Sequence, residues 1–392
     1  MENKRLKICY IANGNTIHTE RWLRYFASQG HEVHLIPLGE CNNDRMPGVI
    51  YHELEIKFKV IPKVRGIEKI IKVKRLVKKI SPDIIHGHFV SGGGCYAYLS
   101  GFKPLVVTAW GSDIYLYSKQ LFINKMLTRH TLQNADLITT DSNDLKNKVI
   151  KLGASKEKSY IIQFGVDTKL FHPTCDVNIL KEELKIGDNE KIIFSPRMIR
   201  PIYNIDNIVK AFKLLQGDFG NLRLILKSKT KKDKEYRIYI EELAKRLGVE
   251  ARIIFIGQVD HSTMPKLYSL SDVVVSIPTT DGTPVSVLEA MACGCNIVAS
   301  DIPSLQEWIK DGWNGYLVNV KDIEEISQKI KKCLLIKSNK HETIINRNLN
   351  IIRERANYFS NMKKMERLYY SLMEENTKCY NTKRKEDKHF SY

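Results

Sequence analysis

Short apolar runs alternate with amphipathic helical stretches along almost the whole chain, and this alternation limits the available folds more than any other feature. Leu6–Ala12, Glu32–Pro37, Asp83–His88, Pro104–Ala109, Ala135–Thr140 and Tyr160–Gln163 read as buried strands. Between them, Thr19–Ser28, Gly66–Ile80, a segment after Ser91-Gly92-Gly93-Gly94 and Ile123–Asn134 read as helices. The scheme then restarts. Strands Lys191–Ser195, Leu222–Lys227, Arg252–Gly257, Asp272–Ile277 and Asn296–Ser300 interleave with helices near Asn204–Leu215, Lys234–Leu247, Met264–Ser269, Pro284–Cys293 and Ile323–Ile336. Strand–helix alternation is the signature of a parallel sheet covered by helices. Two such runs in 392 residues imply an α/β chain of two doubly wound domains, 1–175 and 176–349, facing a central cleft. His172-Pro173 breaks regular structure at the join. The helical pattern of about 350–375 is expected to pack back on the first domain, and the polar stretch 376–392 to be a disordered tail.

No apolar run approaches the ~18–20 residues that cross a bilayer. The apolar part of the amino terminus is too short for a signal peptide, so a cytoplasmic protein is expected. The eight cysteines form no C-x-x-C pair and read as reduced and structural; Cys293 and Cys295 flank Gly294 without the partners of a zinc site. A net charge of +18 suits nucleic acid, phosphorylated substrates or an anionic membrane, although a Lys-, Ile- and Asn-rich composition produces it without any partner. No nucleic-acid-binding motif accompanies the charge, and no nucleic-acid partner is expected.

Ligands of open α/β sheets bind at the carboxyl ends of the strands. There is no G-x-G-x-x-G after the first strand and no P-loop, which weakens dinucleotide and kinase readings. After strand Asp272–Ile277 comes the turn-forming loop Pro278-Thr279-Thr280-Asp281-Gly282. Thr283 reads as a helix N-cap and Pro284 as the first helical residue, with Gly294 ending the helix. The amides of about 284–287, backed by the helix dipole, then form a diphosphate site. Asp281 and Glu289 are carboxylates able to accept hydrogen bonds from sugar and ribose hydroxyls. On composition alone, an ordinary strand–helix corner explains these residues as well.

Asp281–Glu289, continued by Ala290-Met291-Ala292-Cys293-Gly294, resembles the E-x7-E signature of glycosyltransferase family 4, with Asp in place of the usual first Glu. The resemblance covers nearly the whole chain. It extends to Asp83-Ile84-Ile85-His86-Gly87-His88, Thr108-Ala109-Trp110-Gly111-Ser112-Asp113, Asn134-Ala135-Asp136, Gly165-Val166-Asp167 with Phe171 and Pro173, and Asp311-Gly312-Trp313-Asn314-Gly315. It implies a retaining enzyme of GT-B fold, with two Rossmann-like domains: the first on the acceptor side, the second binding the nucleotide-sugar. By the same resemblance, Glu289 would hold the donor's ribose. Asp281 would contact the transferred sugar, backed by Gly282 and Thr283, and the amides of Pro284–Val287, Val285 and Ser286 included, would take the diphosphate. His88 would face the donor sugar. Gly14 would admit backbone close to the phosphates, and Gly257 would mark the loop gripping the base.

The family also carries an Arg and a Lys against the leaving diphosphate. Arg197 matches the first. Tyr203-Asn204 stands where Lys-Gly is expected, leaving Arg200 or Lys227 as the second cation. A lost charge-assisted bond to phosphate is worth about 1.5–3 kcal/mol, so a replacement is expected. His18, beside Arg21 and Trp22, is an acceptor-side candidate or a cap, and Asp113 is an acceptor ligand or base at the rim. His86 is expected to turn to the face opposite His88, into the core. No D-x-D pair ends a strand to hold a metal diphosphate, so no cofactor and no obligatory metal are expected, leaving-group charge falling to the cations and helix amides. The acceptor hydroxyl is then expected to attack on the face the nucleotide leaves.

Lys69, Lys72, Lys74, Arg75, Lys78 and Lys79 share a helix with Ile67, Ile70, Ile71, Val77 and Ile80, read as one apolar stripe on the sheet under a cationic face. Attraction to anionic lipid is worth ~1 kcal/mol per Lys or Arg. The expectation is a peripheral enzyme at the inner membrane face. It would move sugar from a UDP- or GDP-sugar to a glycan or lipid-linked acceptor in polysaccharide, lipopolysaccharide or glycolipid synthesis. A sugar-nucleotide epimerase of the same fold and a non-catalytic nucleic-acid- or lipid-binding protein are the alternatives.

Overall fold

The structure is a computed structural model that describes residues 4–39, 41, 45–57, 62–119, 121–173, 176–228 and 234–389, with backbone alone at 62, 63, 118 and 376–389. Residues 174–175 at the expected join, 58–61 before the basic helix and 390–392 in the tail lie outside the described residues. The chain divides into two compact units, Met1–Gln163 with Ser360–Tyr392, and Phe164–Phe359.

Among its described residues, the first unit carries the strands β1 (Lys7–Ala12), β2 (Glu32–Pro37), β3 (Val49–Tyr51), β4 (Ile84–His88), β5 (Leu105–Thr108), β6 (Leu137–Thr140) and β7 (Ser159–Ile161). All pair in parallel in the order β3-β2-β1-β4-β5-β6-β7. Its helices are α1 (Ile17–Ser28), α2 (Pro62–Ile80), α3 (Cys95–Leu99), α4 (Ser112–Tyr115), α5 (Phe122–Asn134) and α6 (Asn143–Lys151). Side chains alternate faces along β1. Cys9 and Ile11 join a core with Val73, Val77 and Ile80 of α2, Leu132 of α5 and Leu145 and Val149 of α6. Tyr10 turns the other way, towards Phe26 of α1.

The second unit carries helices α7 (Asn178–Glu183), α8 (Ile205–Leu215), α9 (Lys234–Leu247), α10 (Met264–Ser269), α11 (Val285–Ala292), α12 (Pro303–Gln306), α13 (Ile323–Leu334) and α14 (Ser338–Arg355). They flank strands β8 (Lys191–Met198), β9 (Leu222–Lys227), β10 (Ile253–Ile256), β11 (Val273–Ser276), β12 (Asn296–Ser300) and β13 (Tyr316–Val318). The sheet is again parallel, in the order β10-β9-β8-β11-β12-β13. One face is covered by α8, α9 and α13, the other by α7, α10, α11, α12 and α14. A last helix, α15 (Tyr358–His389), begins at the end of this unit and belongs to the first unit from Ser360.

Three expectations change. The units part at 163/164 rather than 175/176, because the stretch after β7 pairs with the end of the second unit: Val166 N–H donates to Ala356 O at 2.6 Å, and Tyr358 N–H to Val166 O at 3.0 Å. The backbone of α15 runs as helix to His389, through most of the stretch expected to be disordered. In α2, Val73, Val77 and Ile80 form the buried stripe, while Ile67 and Ile71 are exposed. That helix has two apolar stripes, and spacing alone does not say which one meets the sheet.

Candidate active site

The two strand orders reverse between β1 and β4 and between β8 and β11, the switch points at which open α/β sheets bind ligands. Arg197 lies at the carboxyl end of β8, and Asp281 follows β11. The Arg197 Nη2–Asp281 Oδ2 distance is 2.7 Å, with the side chains 14% and 21% exposed. Arg197 Nη1 also donates to Ser286 Oγ at 3.2 Å, and its guanidinium stacks on the Tyr203 ring at 4.2 Å. Burial raises the Asp281 pKa, opposed by Arg197 and the Gly282 amide. Burial works against the Arg197 charge too, but Asp281 and Tyr203 outweigh it and hold its pKa above the ordinary value.

Pro284, not Thr283, is the N-cap of α11 (φ −76°, ψ 92°), which shifts the expected cap by one residue. Val287 N–H turns back to Pro284 O at 2.9 Å. The amides of Val285 and Ser286 make no hydrogen bond among the described residues, so these two stand open at the positive end of the helix, Pro284 having no N–H and Val287 being engaged. At the other end Gly294 takes φ +77°, and Cys295 N–H reaches Ala290 O at 3.0 Å, closing the helix with a left-handed cap.

Glu289, only 6% exposed, has both oxygens engaged: His261 Nε2 lies 2.8 Å from Oε1, and the Tyr268 hydroxyl donates to Oε2 at 3.1 Å. Phe171 packs against both partners, with ring centroids 5.1 and 6.2 Å away. Lys227, ending β9, points its Nζ at Met264 Sδ, 3.7 Å away. Arg200 is half-exposed at the head of the turn Pro201–Tyr203. Gly257 is exposed just beyond β10, and Gly282 and Thr283 lie between Asp281 and the cap. Asn204 sits in the left-handed region (φ +51°), where a glycine of a Lys-Gly pair would sit, and its Nδ2 donates to Ile277 O at 2.7 Å. The turn therefore has the backbone that the resemblance implies, with an aromatic ring in place of the lysine.

At the first unit's switch point, His88 closes β4 and Gly14 follows β1. His88 is boxed by Tyr10, Trp22, His86 and Trp110, with ring centroids 5.3, 5.1, 4.6 and 5.4 Å away. Both its ring nitrogens are buried and make no hydrogen bond among the described residues. Burial, with a contribution from His18, lowers its pKa to about 3, so the ring is neutral at ordinary pH. The next residue, Phe89, has φ +69°, strained for an aromatic residue. The Gly92–Gly94 run allows a π-helical turn, 89–94, to press on β1: a Cβ at Gly93 would lie 1.9 Å from Ile11 O.

Three residues of this unit depart from expectation. His86 shares a face with His88, as residues two apart on a strand must. It is nevertheless core, hydrogen-bonded to the Tyr369 hydroxyl at 2.5 Å and Thr108 Oγ1 at 2.6 Å. Asp113 is buried and accepts from Val90 N–H at 2.6 Å and Trp110 N–H at 3.1 Å, a brace for the π turn rather than a rim ligand; burial pushes its pKa up to about 6 against those bonds. Gly14 is buried, and a Cβ there would meet Cys41 Sγ at 2.8 Å, so packing already requires the glycine. His18 stays half-exposed, edge-on to Trp110 at 5.5 Å.

Tyr203, His261, Tyr268, Tyr10, Trp22 and Trp110 carry much of the two constellations, and sequence reasoning assigned none of them a role. His261 and Tyr268 lie on separate elements from Glu289, and no spacing rule joins them.

Two family descriptions match the chain, glycosyl transferases group 1 over residues 176–350 and glycosyl transferase 4-like over residues 7–142. The chain belongs to the family 4 glycosyltransferases, enzymes of the GT-B fold. It is 25% identical over 341 residues to N-acetyl-alpha-D-glucosaminyl L-malate synthase of Bacillus anthracis, covering 83% of this chain and 86% of the relative. It is 23% identical to alpha-monoglucosyldiacylglycerol synthase of Acholeplasma laidlawii, covering 90% and 92%. Among solved structures, sucrose-phosphate synthase of Thermosynechococcus elongatus superposes with TM-score 0.80 at 19% identity, covering 94% of this chain and 99% of that one. Anabaena HepE, in complex with UDP-glucose, does so with TM-score 0.77 at 17% identity, covering 94% and 100%. No helix among the described residues is long and apolar enough to cross a membrane.

Proposed function

We propose that this enzyme moves a sugar, with retention of anomeric configuration, from a nucleoside-diphosphate sugar to a hydroxyl of a glycan or lipid-linked acceptor at the inner face of the cell membrane. UDP is the favoured nucleotide and GDP the alternative. One observation carries the reading: Arg197 stands between Asp281 and Ser286 at the switch point of the second sheet, beside two outward amides of α11. There a diphosphate meets one guanidinium and a helix amino end, and a sugar hydroxyl meets Asp281. HepE, solved with UDP-glucose, supports the choice of UDP, and the lipid in the name of the Acholeplasma relative supports a lipid-linked acceptor.

As the bond from the anomeric carbon to the departing phosphate oxygen lengthens, negative charge grows on the diphosphate. Arg197 and the amides of Val285 and Ser286 balance it, with no divalent ion required. The acceptor hydroxyl forms its bond to the anomeric carbon on the same face, and its proton passes to the departing phosphate. Glu289 orients the ribose and holds its own position through His261 and Tyr268.

Calorimetry with UDP and with GDP tests the donor reading, with and without a chelator. UDP is expected to bind in both conditions, and Arg197→Ala to weaken it. If neither nucleotide bound the purified chain, the reading would fall. Proton NMR of the product's anomeric signal checks retention, and inversion would overturn it.

A further inference from the structure

The first unit carries a concentration of exposed apolar side chains unlike the rest of the described residues. At the start of α5, Leu121, Phe122 and Ile123 are 76%, 79% and 63% exposed, and Leu116 and Met126 beside them are also exposed. Scattered exposed apolar residues are ordinary, but a contiguous cluster marks a surface that meets something apolar. Lys119, Lys125 and Arg129 interleave with this cluster and make no ion pair among the described residues, and no acidic residue occurs from Ile114 to Asn134.

The exposed stripe of α2 (Val64, Ile67 and Ile71) repeats the pattern, flanked by exposed Arg65, Lys74, Arg75 and Lys78. The two patches belong to one side of the unit. The buried stripes of α2 and α5 share one core on the same face of the sheet, and α3 packs between the helices. Each helix follows the carboxyl end of its strand, α2 after β3 and α5 after β5, so both patches lie towards the carboxyl end of the sheet, the end that carries His88.

We infer that this face docks on an anionic lipid bilayer, with the tip of α5 (Leu121, Phe122 and Ile123) inserting among the acyl chains and the α2 cations resting on the headgroups. Charge selects this partner over a second copy of the chain. A two-fold contact through the α5 tip would set Lys119, Lys125 and Arg129 against their own copies, whereas an anionic surface neutralises them. The inference extends the proposed lipid-linked acceptor to a particular surface, but membrane docking is measured without donor or acceptor.

The test is co-sedimentation of the purified full chain with vesicles of phosphatidylcholine alone and of phosphatidylcholine mixed with phosphatidylglycerol. Binding is expected with the mixed vesicles only, to be weakened by salt, and to fall at least tenfold in Phe122→Glu and in Leu121→Ser with Ile123→Ser. These side chains are exposed, and an unchanged melting temperature and unchanged UDP binding would confirm that the variants fold. Partition that ignored the α5 substitutions would overturn the inference. So would a Phe122-dependent dimer in sedimentation equilibrium without vesicle binding. UDP binding without vesicle binding removes this inference and leaves the donor reading standing; vesicle binding without UDP binding does the reverse.

Discussion

Arg197 is held by groups of three kinds: a carboxylate at 2.7 Å, a hydroxyl at 3.2 Å and an aromatic ring at 4.2 Å. Only a planar fork satisfies all three at once, so a lysine there is not a conservative change. Arg197→Lys is expected to weaken UDP binding about 10–100-fold, the roughly 1.5–3 kcal/mol of a charge-assisted bond, as read by calorimetry. Tyr203→Phe keeps the stack but removes the phenol oxygen that helps to hold the Arg197 charge, and is expected to weaken UDP binding less than Arg197→Lys. His88 invites a pH experiment. Its folded pKa, about 3, lies below the ordinary 6.5, so the unfolded chain binds more protons between these values. The stability it contributes is therefore present above pH 6.5 and lost as pH falls towards 3, by at most about 1.4 kcal/mol per pH unit. His88→Phe is expected to resist acid better than the parent, as followed by melting temperature against pH. A variant with the same acid loss would show that another group causes it. At this scale Asp281, Glu289 and Arg197 were legible because their chemistry is carried by a motif, whereas Asp113 was misread because nothing local announces that a carboxylate is buried under two amides.

The helix α11 illustrates what an element needs to present a ligand site: an open amino end, and a carboxyl end closed by Gly294 at φ +77°. The turn 89–94 is its counterpart in the first unit, and it depends on Gly93. Gly93→Ala would drive a methyl group into the Ile11 carbonyl at 1.9 Å, with the His88 carbonyl at 2.6 Å. Since backbone on both sides must move, a loss of about 3 kcal/mol or more is expected, and a melting temperature close to that of the parent would contradict this packing. Strand and helix positions were largely readable from periodicity: β2, β9, β12, α9 and α10 begin and end where the apolar pattern puts them. Of the three-residue strands, β7 was read slightly late and β3 and β13 were not read, because so short a run carries little pattern. The two stripes of α2 show a further limit, since periodicity gives faces without saying which one meets the sheet.

The whole molecule depends on its last helix in a way that local sequence conceals. Tyr369 of α15 is hydrogen-bonded to His86 and Tyr10, and Glu366 to His31 at 2.9 Å, all inside the first unit. A chain ending at Phe359 would uncover Phe26, whose ring lies 5.1 Å from that of Tyr369, and leave His86 without one of its partners. Such a chain is expected to bind a hydrophobic dye and melt well below the full protein, and a native-like first unit in the truncated chain would count against this role for α15. The sequence by itself determined the two parallel sheets and the motif Asp281–Glu289, because strand alternation, turn residues and a capped helix are local and survive in a one-dimensional pattern. Only the tertiary structure decided the strand orders that put His88 and Arg197 at switch points, the aromatic box around His88, the ring beneath Arg197, the pair holding Glu289 and the apolar tip of α5. Each of these joins residues far apart in the chain, or depends on what is left uncovered, and burial exists only once the chain has packed.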